Sequence, residues 1–334
     1  MRLPPFHLHR PRSISEAVAL AAEHGDSAQF IAGGTDLLQH LKNRIYTPDH
    51  VISLQRLPGL RDITPTRIGA LATLSDIADH ASIGARLPAL VECINVIASP
   101  IIRTTATLGG NLLVDTRCYF VNQSFEWRLS KGACLKSEGD DCLVVPNPDT
   151  CYATFSADTP ALLMCWDASV HLAGPDGERD VPVHEFYRPD GIVRHVKQPG
   201  EIITWIDIPE SAQQLHSGYA KLRIRDAFDY PELGVAAALS LDGDGSVKTL
   251  KLAFCAVETT PMRLDSQVAP LIGQPLTDEI IASFCAGLPK QLQPYRNTAL
   301  PPGYRQQMTA VFAKRLLMRL RDEATNSVHS RVTV

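Results

Sequence analysis

The chain has 334 residues, 45% of them hydrophobic and 20% charged, with a formal net charge of −4. That length suits two domains with ordinary cores, and the small negative balance argues against a polybasic surface for nucleic acid or membrane. No apolar run is long enough to insert in a membrane, and the arginine-bearing N-terminus lacks an apolar signal core, so a cytoplasmic protein is expected.

In chain order, Ser13 followed three residues later by Glu16 is a capping-box pattern. The helical spacing of 16–24 runs from it to Gly25. A short strand over 29–32 breaks at Gly33-Gly34, where Thr35 or Asp36 can cap a helix over 37–44. Strands are predicted over 50–54 and 67–71, a helix opening at Thr73, and another helix over 88–98. A loop through Ser99-Pro100 leads to Thr107-Leu-Gly-Gly-Asn111. From 116 to 153 neither the helical nor the strand period persists, and Gly132, Gly139, Pro146 and Pro148 punctuate the stretch. Such a segment inside a compact domain is functional or disordered.

Regular spacing returns over 160–166 and 168–173, and Gly-Pro-Asp-Gly-Glu-Arg-Asp reads as a turn leading to a strand over 181–186. Residues 201–209 alternate like a half-buried strand. Near 215 the style changes to three strands, over 217–225, 233–241 and 248–257, and then two helices, over 278–288 and 304–321. A mixed α/β (α+β) fold follows, with one domain over 1–215 that carries the 116–153 insertion, a second over 216–325, and a frayed tail over 326–334.

Three features point to chemistry. A strand ending in two glycines and running into a helix offers free backbone N–H groups that a phosphate can approach closely. Phe30 to Leu37 has that form, although it lacks the third glycine of the dinucleotide fingerprint and reads equally as a plain turn. Thr107 to Asn111 repeats the glycine pair, and two such turns in one α/β domain favour a long diphosphate cofactor. Lys221, Arg223 and Arg225 alternate along one strand, forming a cationic row for an anion or only for water.

The third feature is Cys118, Cys134, Cys142 and Cys151, spaced C-x15-C-x7-C-x8-C. Structural zinc sites favour closely spaced cysteine pairs, which are absent, and wide spacing suits a four-iron cluster. Zinc and unrelated cysteines both stay open on spacing alone. Cys93, Cys165, Cys255 and Cys285 fall in apolar patterns and read as buried core residues. The histidines show no paired ligand spacing.

Several stretches together resemble the FAD-binding medium subunits of the xanthine dehydrogenase (molybdenum hydroxylase) family. They include Phe-Ile-Ala-Gly-Gly-Thr-Asp-Leu-Leu (30–38), Thr-Leu-Gly-Gly-Asn (107–111), Ser-Ala-Asp-Thr-Pro (156–160), Gly-Glu-Ile-Ile-Thr-Trp-Ile-Asp-Ile-Pro (200–209) and the 219–239 segment. The resemblance implies a two-part FAD-binding domain of the vanillyl-alcohol-oxidase (PCMH) type followed by a small α/β C-terminal domain. It also implies FAD contacts at Phe30, Ile31, Ala32, Gly33, Gly34, Thr35, Asp36 and Leu37, and at Thr107, Gly110, Asn111 and Leu113. Further contacts carry over to Asp158, Ile202, Ile203 and Lys221. The implied partners are a molybdopterin-containing large subunit and a small subunit with two [2Fe–2S] clusters.

Ordinary members pass quickly from the second glycine turn to the Asp, whereas here 47 positions separate Asn111 from Asp158. A cysteine-bearing insertion at this place is similar to that of the 4-hydroxybenzoyl-CoA reductase β subunits. That likeness implies a [4Fe–4S] cluster on Cys118, Cys134, Cys142 and Cys151, and reduced ferredoxin as electron donor. Electrons would then run through FAD toward molybdenum for reductive dehydroxylation to benzoyl-CoA. The alternatives are an oxidative molybdenum hydroxylase subunit of xanthine or CO dehydrogenase type, or a zinc-stapled, non-catalytic assembly subunit. Because both glycine turns lie outside the insertion, flavin binding is expected to be independent of it.

Overall fold

The computed structural model describes residues 2–332, the last six as backbone only. Three sheets organise them. The first is parallel: β1 (His7–His9), β2 (Ala28–Ile31) and β3 (His50–Ser53), in the order β1-β3-β2. Parallel neighbours need a crossover; the helix Ile14–His24 lies between β1 and β2, and the helix Leu37–Lys42 between the neighbours β2 and β3. Ser13 Oγ accepts the Glu16 N–H at 3.1 Å, and the Glu16 carboxylate accepts the Arg12 N–H at 2.7 Å. β1 was not legible in the sequence, because three residues are too few to show a period.

The second sheet comprises β4 (Arg67–Gly69), β5 (Ser169–Gly174), β6 (Gly177–Pro182) and β7 (Ile202–Asp207), antiparallel in the order β4-β7-β5-β6. Here the sequence reading needs correcting. Glu178, Arg179 and Asp180 belong to β6, while 183–186 is a helical turn instead of strand. β6 is an edge strand whose polar residues face water, and Pro182 ends it because it has no N–H for the ladder.

The third sheet is antiparallel, in the order β11-β10-β9-β8, with β8 (His216–Leu222), β9 (Leu233–Leu241), β10 (Val247–Cys255) and β11 (Met262–Arg263). Alternation along β9 sends Leu233, Val235, Ala237 and Leu239 into a C-terminal core. The helices Asp278–Gly287 and Pro302–Val332 cover that face. Ala236 and Ala238 point the other way, into the large core shared with the second sheet. Small residues on that face let the two halves pack closely, so the third sheet is buried on both sides.

The last helix continues to Val332, where the sequence predicts a frayed tail from 326; with no Gly or Pro after 303, nothing local stops it. Residues 333 and 334 lie outside the described residues. Among the described residues no helix is long and apolar enough to cross a membrane.

The 116–153 insertion is irregular except for the helix Phe125–Ser130, capped by Ser124. Its organiser is Arg128, whose side chain is fully buried. The guanidinium donates to the carbonyls of Asn43, Arg44 and Gln123, each at 2.9 Å, and to Ser137 Oγ at 3.0 Å. A buried charge is tolerated when its donors are met in this way.

Candidate functional site

The first glycine turn follows β2. Gly34 sits at φ +74°, a left-handed conformation that disfavours any Cβ. A Cβ on Gly33 would lie 1.9 Å from the Thr105 carbonyl oxygen, so this turn presses against the backbone just ahead of the second. The N–H groups of Gly33, Gly34, Thr35 and Asp36 donate to no acceptor among the described residues.

Asp36 stands at the N-cap of the helix Leu37–Lys42, yet its side chain makes no capping bond. It instead accepts the Asp115 N–H at 3.0 Å, because its helical backbone angles aim the carboxylate away from the first turn. The helix is also shorter than the 37–44 expected.

In the second turn, Thr107 caps the helix Leu108–Leu112, its Oγ1 accepting the Gly110 N–H at 3.1 Å. A Cβ on Gly109 would come within 2.9 Å of the Ala70 carbonyl oxygen, so the helix start is seated on the chain leaving β4. Buried Asn111 accepts from Thr159 Oγ1 at 2.7 Å and Thr159 N–H at 3.2 Å. That bond ties the turn to the helix Thr159–Cys165. Asp158, just before that helix, accepts from Tyr219 Oη at 2.7 Å and pairs with Lys221 Nζ at 3.0 Å. Burial pushes the Asp158 carboxyl up, and Lys221 opposes that rise.

Between the turns lies a cavity of about 1100 Å³, lined by all sixteen residues named above for FAD. The volume lies just above the roughly 300–1,000 Å³ range usual for small-molecule sites, as suits a dinucleotide-sized ligand. Of the cationic row, Lys221 alone lines the cavity. β8 ends at Leu222, which breaks the alternation; Arg223 turns to the Val96 carbonyl and Arg225 to Asp229.

The cavity also has a polar wall that the sequence did not reveal. Asp115 is buried and accepts from Tyr46 Oη at 2.5 Å and Lys136 Nζ at 2.6 Å, with Arg194 Nη1 at 3.0 Å. Burial works against its ionisation, but Lys136 and Arg194 hold its carboxyl below the usual carboxylate range. Burial, with Arg194 alongside, lowers His195 to about 3, and burial lowers Lys197 to about 8. Asp36 Oδ1, His40 Nε2, Arg194 Nε and His195 Nδ1 are buried without a hydrogen-bond partner, and all four residues line the cavity. Asp36 Oδ1 lies 3.7 Å from His40 Nε2 and 3.6 Å from Arg117 Nη1, so charge pairing offsets part of the cost of leaving these buried atoms without hydrogen bonds.

Cys118, Cys134, Cys142 and Cys151 are buried around one small apolar pocket with Val121 and Leu143. Burial pushes the Cys118 thiol up to about 12 and Cys151 to about 11. Thiols so placed become thiolates when a metal cation offsets the charge. No three of the four sulfurs lie mutually within 4.8 Å. A tetrahedral zinc site, with Zn–S near 2.3 Å, needs about 3.8 Å between sulfurs. A four-iron cube spreads its thiolates wider. Cys93, Cys165 and Cys255 lie in the large core and Cys285 in the C-terminal core.

Leu135 and Lys136 line both the cysteine pocket and the large cavity. Lys136 Nζ also donates to the Gly191 carbonyl at 2.7 Å. The insertion therefore supplies part of the cavity wall.

Residues 4–211 match the family model described as FAD binding domain in molybdopterin dehydrogenase, and residues 217–320 match the CO dehydrogenase flavoprotein C-terminal domain. The chain is 34% identical to the aldehyde oxidoreductase FAD-binding subunit PaoB of Escherichia coli (strain K12), over 83% of this chain and 90% of that one. It is 29% identical to the carbon monoxide dehydrogenase medium chain of Afipia carboxidovorans, over 96% of this chain and 98% of that one. A crystal structure of the Cu,Mo-CO dehydrogenase superposes with a TM-score of 0.78 at 27% identity, covering 96% of this chain and 99% of that chain. With two glycine turns around one large cavity and both domains matched, this chain belongs to the FAD-binding medium subunits of the xanthine dehydrogenase and CO dehydrogenase family of molybdenum hydroxylases.

Proposed function

We propose that this chain holds FAD between its two glycine turns and relays electrons for an oxidative molybdenum hydroxylase, whose substrate chemistry takes place on a partner subunit. The observation that carries this reading is the cavity, lined by Gly33 to Asp36, whose N–H groups have no acceptor among the described residues, and by His40, Arg194 and His195. Bound FAD supplies a centre that exchanges electrons singly or in pairs. The chain's own part is to hold it. Gly33 to Asp36 would receive the diphosphate, and Thr107, Gly110, Asn111 and Leu113 would form the opposite wall. Asp158, already held by Lys221 and Tyr219, would accept flavin hydroxyls, and Ile202 and Ile203 would exclude water.

Similar chains bear the names of aldehyde, carbon monoxide and xanthine dehydrogenating enzymes, which favours electrons running outward from molybdenum. A molybdopterin-containing large subunit and a small subunit with two [2Fe–2S] clusters are the proposed partners. The proposed domain limits stay at 1–215 and 216–325.

The four-cysteine pocket favours a further component, a [4Fe–4S] cluster on Cys118, Cys134, Cys142 and Cys151. Their burial and wide sulfur spacing suit it better than zinc. This pocket also keeps the second reading in play, a 4-hydroxybenzoyl-CoA reductase β subunit fed by reduced ferredoxin. The deciding experiment is anaerobic mixing of the purified complex with candidate substrates. Flavin bleached by an aldehyde or a purine supports the oxidative reading. Pre-reduced flavin reoxidised by 4-hydroxybenzoyl-CoA supports the reductase. A chain purified with its partners but without flavin refutes both.

A further inference from the structure

Among the described residues, one group of three or more potential ligands closes to metal-binding separation, and it lies outside the flavin cavity and the cysteine pocket. It consists of His9, His24 and His50, whose ring nitrogens all lie within 4.8 Å of one another. We propose that these three histidines bind a first-row divalent cation of borderline softness, zinc foremost.

The fold assembles the group from three elements. His9 ends β1, His50 begins β3, and His24 is the last residue of the helix that crosses from β1 toward β2. The parallel register pairs His7 with His50 and His9 with Ile52. His9 therefore sits two residues beyond the strand partner of His50, on the same face of the sheet. Gly25 turns the chain at φ +50°, and Ser27 Oγ bonds the His24 carbonyl at 2.6 Å, which fixes the helix end over the sheet.

The distances favour ligation. His9 Nε2 and His50 Nδ1 share a 2.9 Å hydrogen bond that a metal ion would replace, and the His24 and His50 rings stack nearly parallel with centroids 3.7 Å apart. Ligands on a tetrahedral zinc, with Zn–N near 2.0 Å, stand about 3.3 Å apart. Unstacking the His24 and His50 rings would turn three nitrogens onto one ion, and a partly exposed setting leaves the fourth position to water. Imidazole suits zinc, copper and nickel, whereas magnesium and calcium prefer oxygen. The ion would pin a three-residue edge strand and the end of the crossover helix to β3.

The test is equilibrium dialysis of the purified complex against micromolar Zn²⁺, with metal analysis, for the unaltered chain and for a His24→Gln/His50→Gln variant. The expected result is one more Zn²⁺ equivalent per chain in the unaltered protein, with equal flavin and iron in both. Equal Zn²⁺ uptake overturns the site. Should the variant not fold, Cu²⁺ added to the unaltered, oxidised complex reports the ligands by electron paramagnetic resonance. Nitrogen couplings from imidazoles are expected, and a Cu²⁺ signal without them overturns the proposal.

Discussion

Lys136→Met tests whether the insertion and the flavin cavity share one wall. Methionine keeps the length and apolar stem of lysine but removes the ammonium that meets Asp115 at 2.6 Å and the Gly191 carbonyl at 2.7 Å. Removing one partner of a buried pair costs roughly 3–5 kcal/mol. Asp115 keeps Arg194 at 3.0 Å and Tyr46 at 2.5 Å, so a smaller loss is expected here. We place it at about 2–3 kcal/mol, below that range. At about 1.4 kcal/mol per decade this is roughly a 30- to 150-fold rise in the open population of the segment. Hydrogen exchange of the 116–153 amides reads that population directly. Flavin affinity should fall with it, because Lys136 lines the cavity. Exchange within about threefold of the unaltered protein would refute the shared wall, as would faster exchange with flavin affinity unchanged.

Gly34→Val should strip flavin while leaving iron in place, since valine tolerates neither φ +74° nor the approach of a phosphate; flavin and iron assays on one sample check it, and joint loss would indicate misfolding instead. Cys118→Ser should abolish iron and sulfide at the cysteine pocket, and full retention in elemental analysis would remove the cluster assignment. His195 gives a pH prediction. Its folded pKa of about 3 lies below the ordinary value, so its contribution is fully present above about pH 6.5 and is lost as pH falls toward 3. In the flavin-free chain the loss is about 1.4 kcal/mol by pH 5.5, and His195→Gln should flatten that slope in urea midpoints.

Periodicity and punctuation carried much of the fold into the sequence. Ser13 and Glu16 announced a helix start, Gly33 and Gly34 a turn, and the run from Leu233 to Leu241 a buried strand. Features built from distant residues were not legible. Asp115, Lys136 and Arg194 meet across 79 positions of chain, and each alone reads as an ordinary surface charge. His9, His24 and His50 share no helical or strand spacing, since a β1–β3 pairing and a helix end bring them together. Arg128 escaped for the same reason, three of its partners being carbonyls, which leave no mark in a sequence.

The short helix Leu37–Lys42 has its two ends in different hands. Its approach, Gly33 to Asp36, faces the flavin cavity, and the carbonyls of Asn43 and Arg44 just past it are held by Arg128 of the insertion. Six residues at 1.5 Å each make a rod of about 9 Å. It acts as a strut, setting the spacing between the flavin turn and the cysteine-bearing segment by helix length instead of by a loop. Lengthening it by one residue would rotate Arg128's anchor by about 100° around the axis. The chain can therefore vary the surfaces of either compartment more freely than it can vary the number of residues between Gly34 and Asn43.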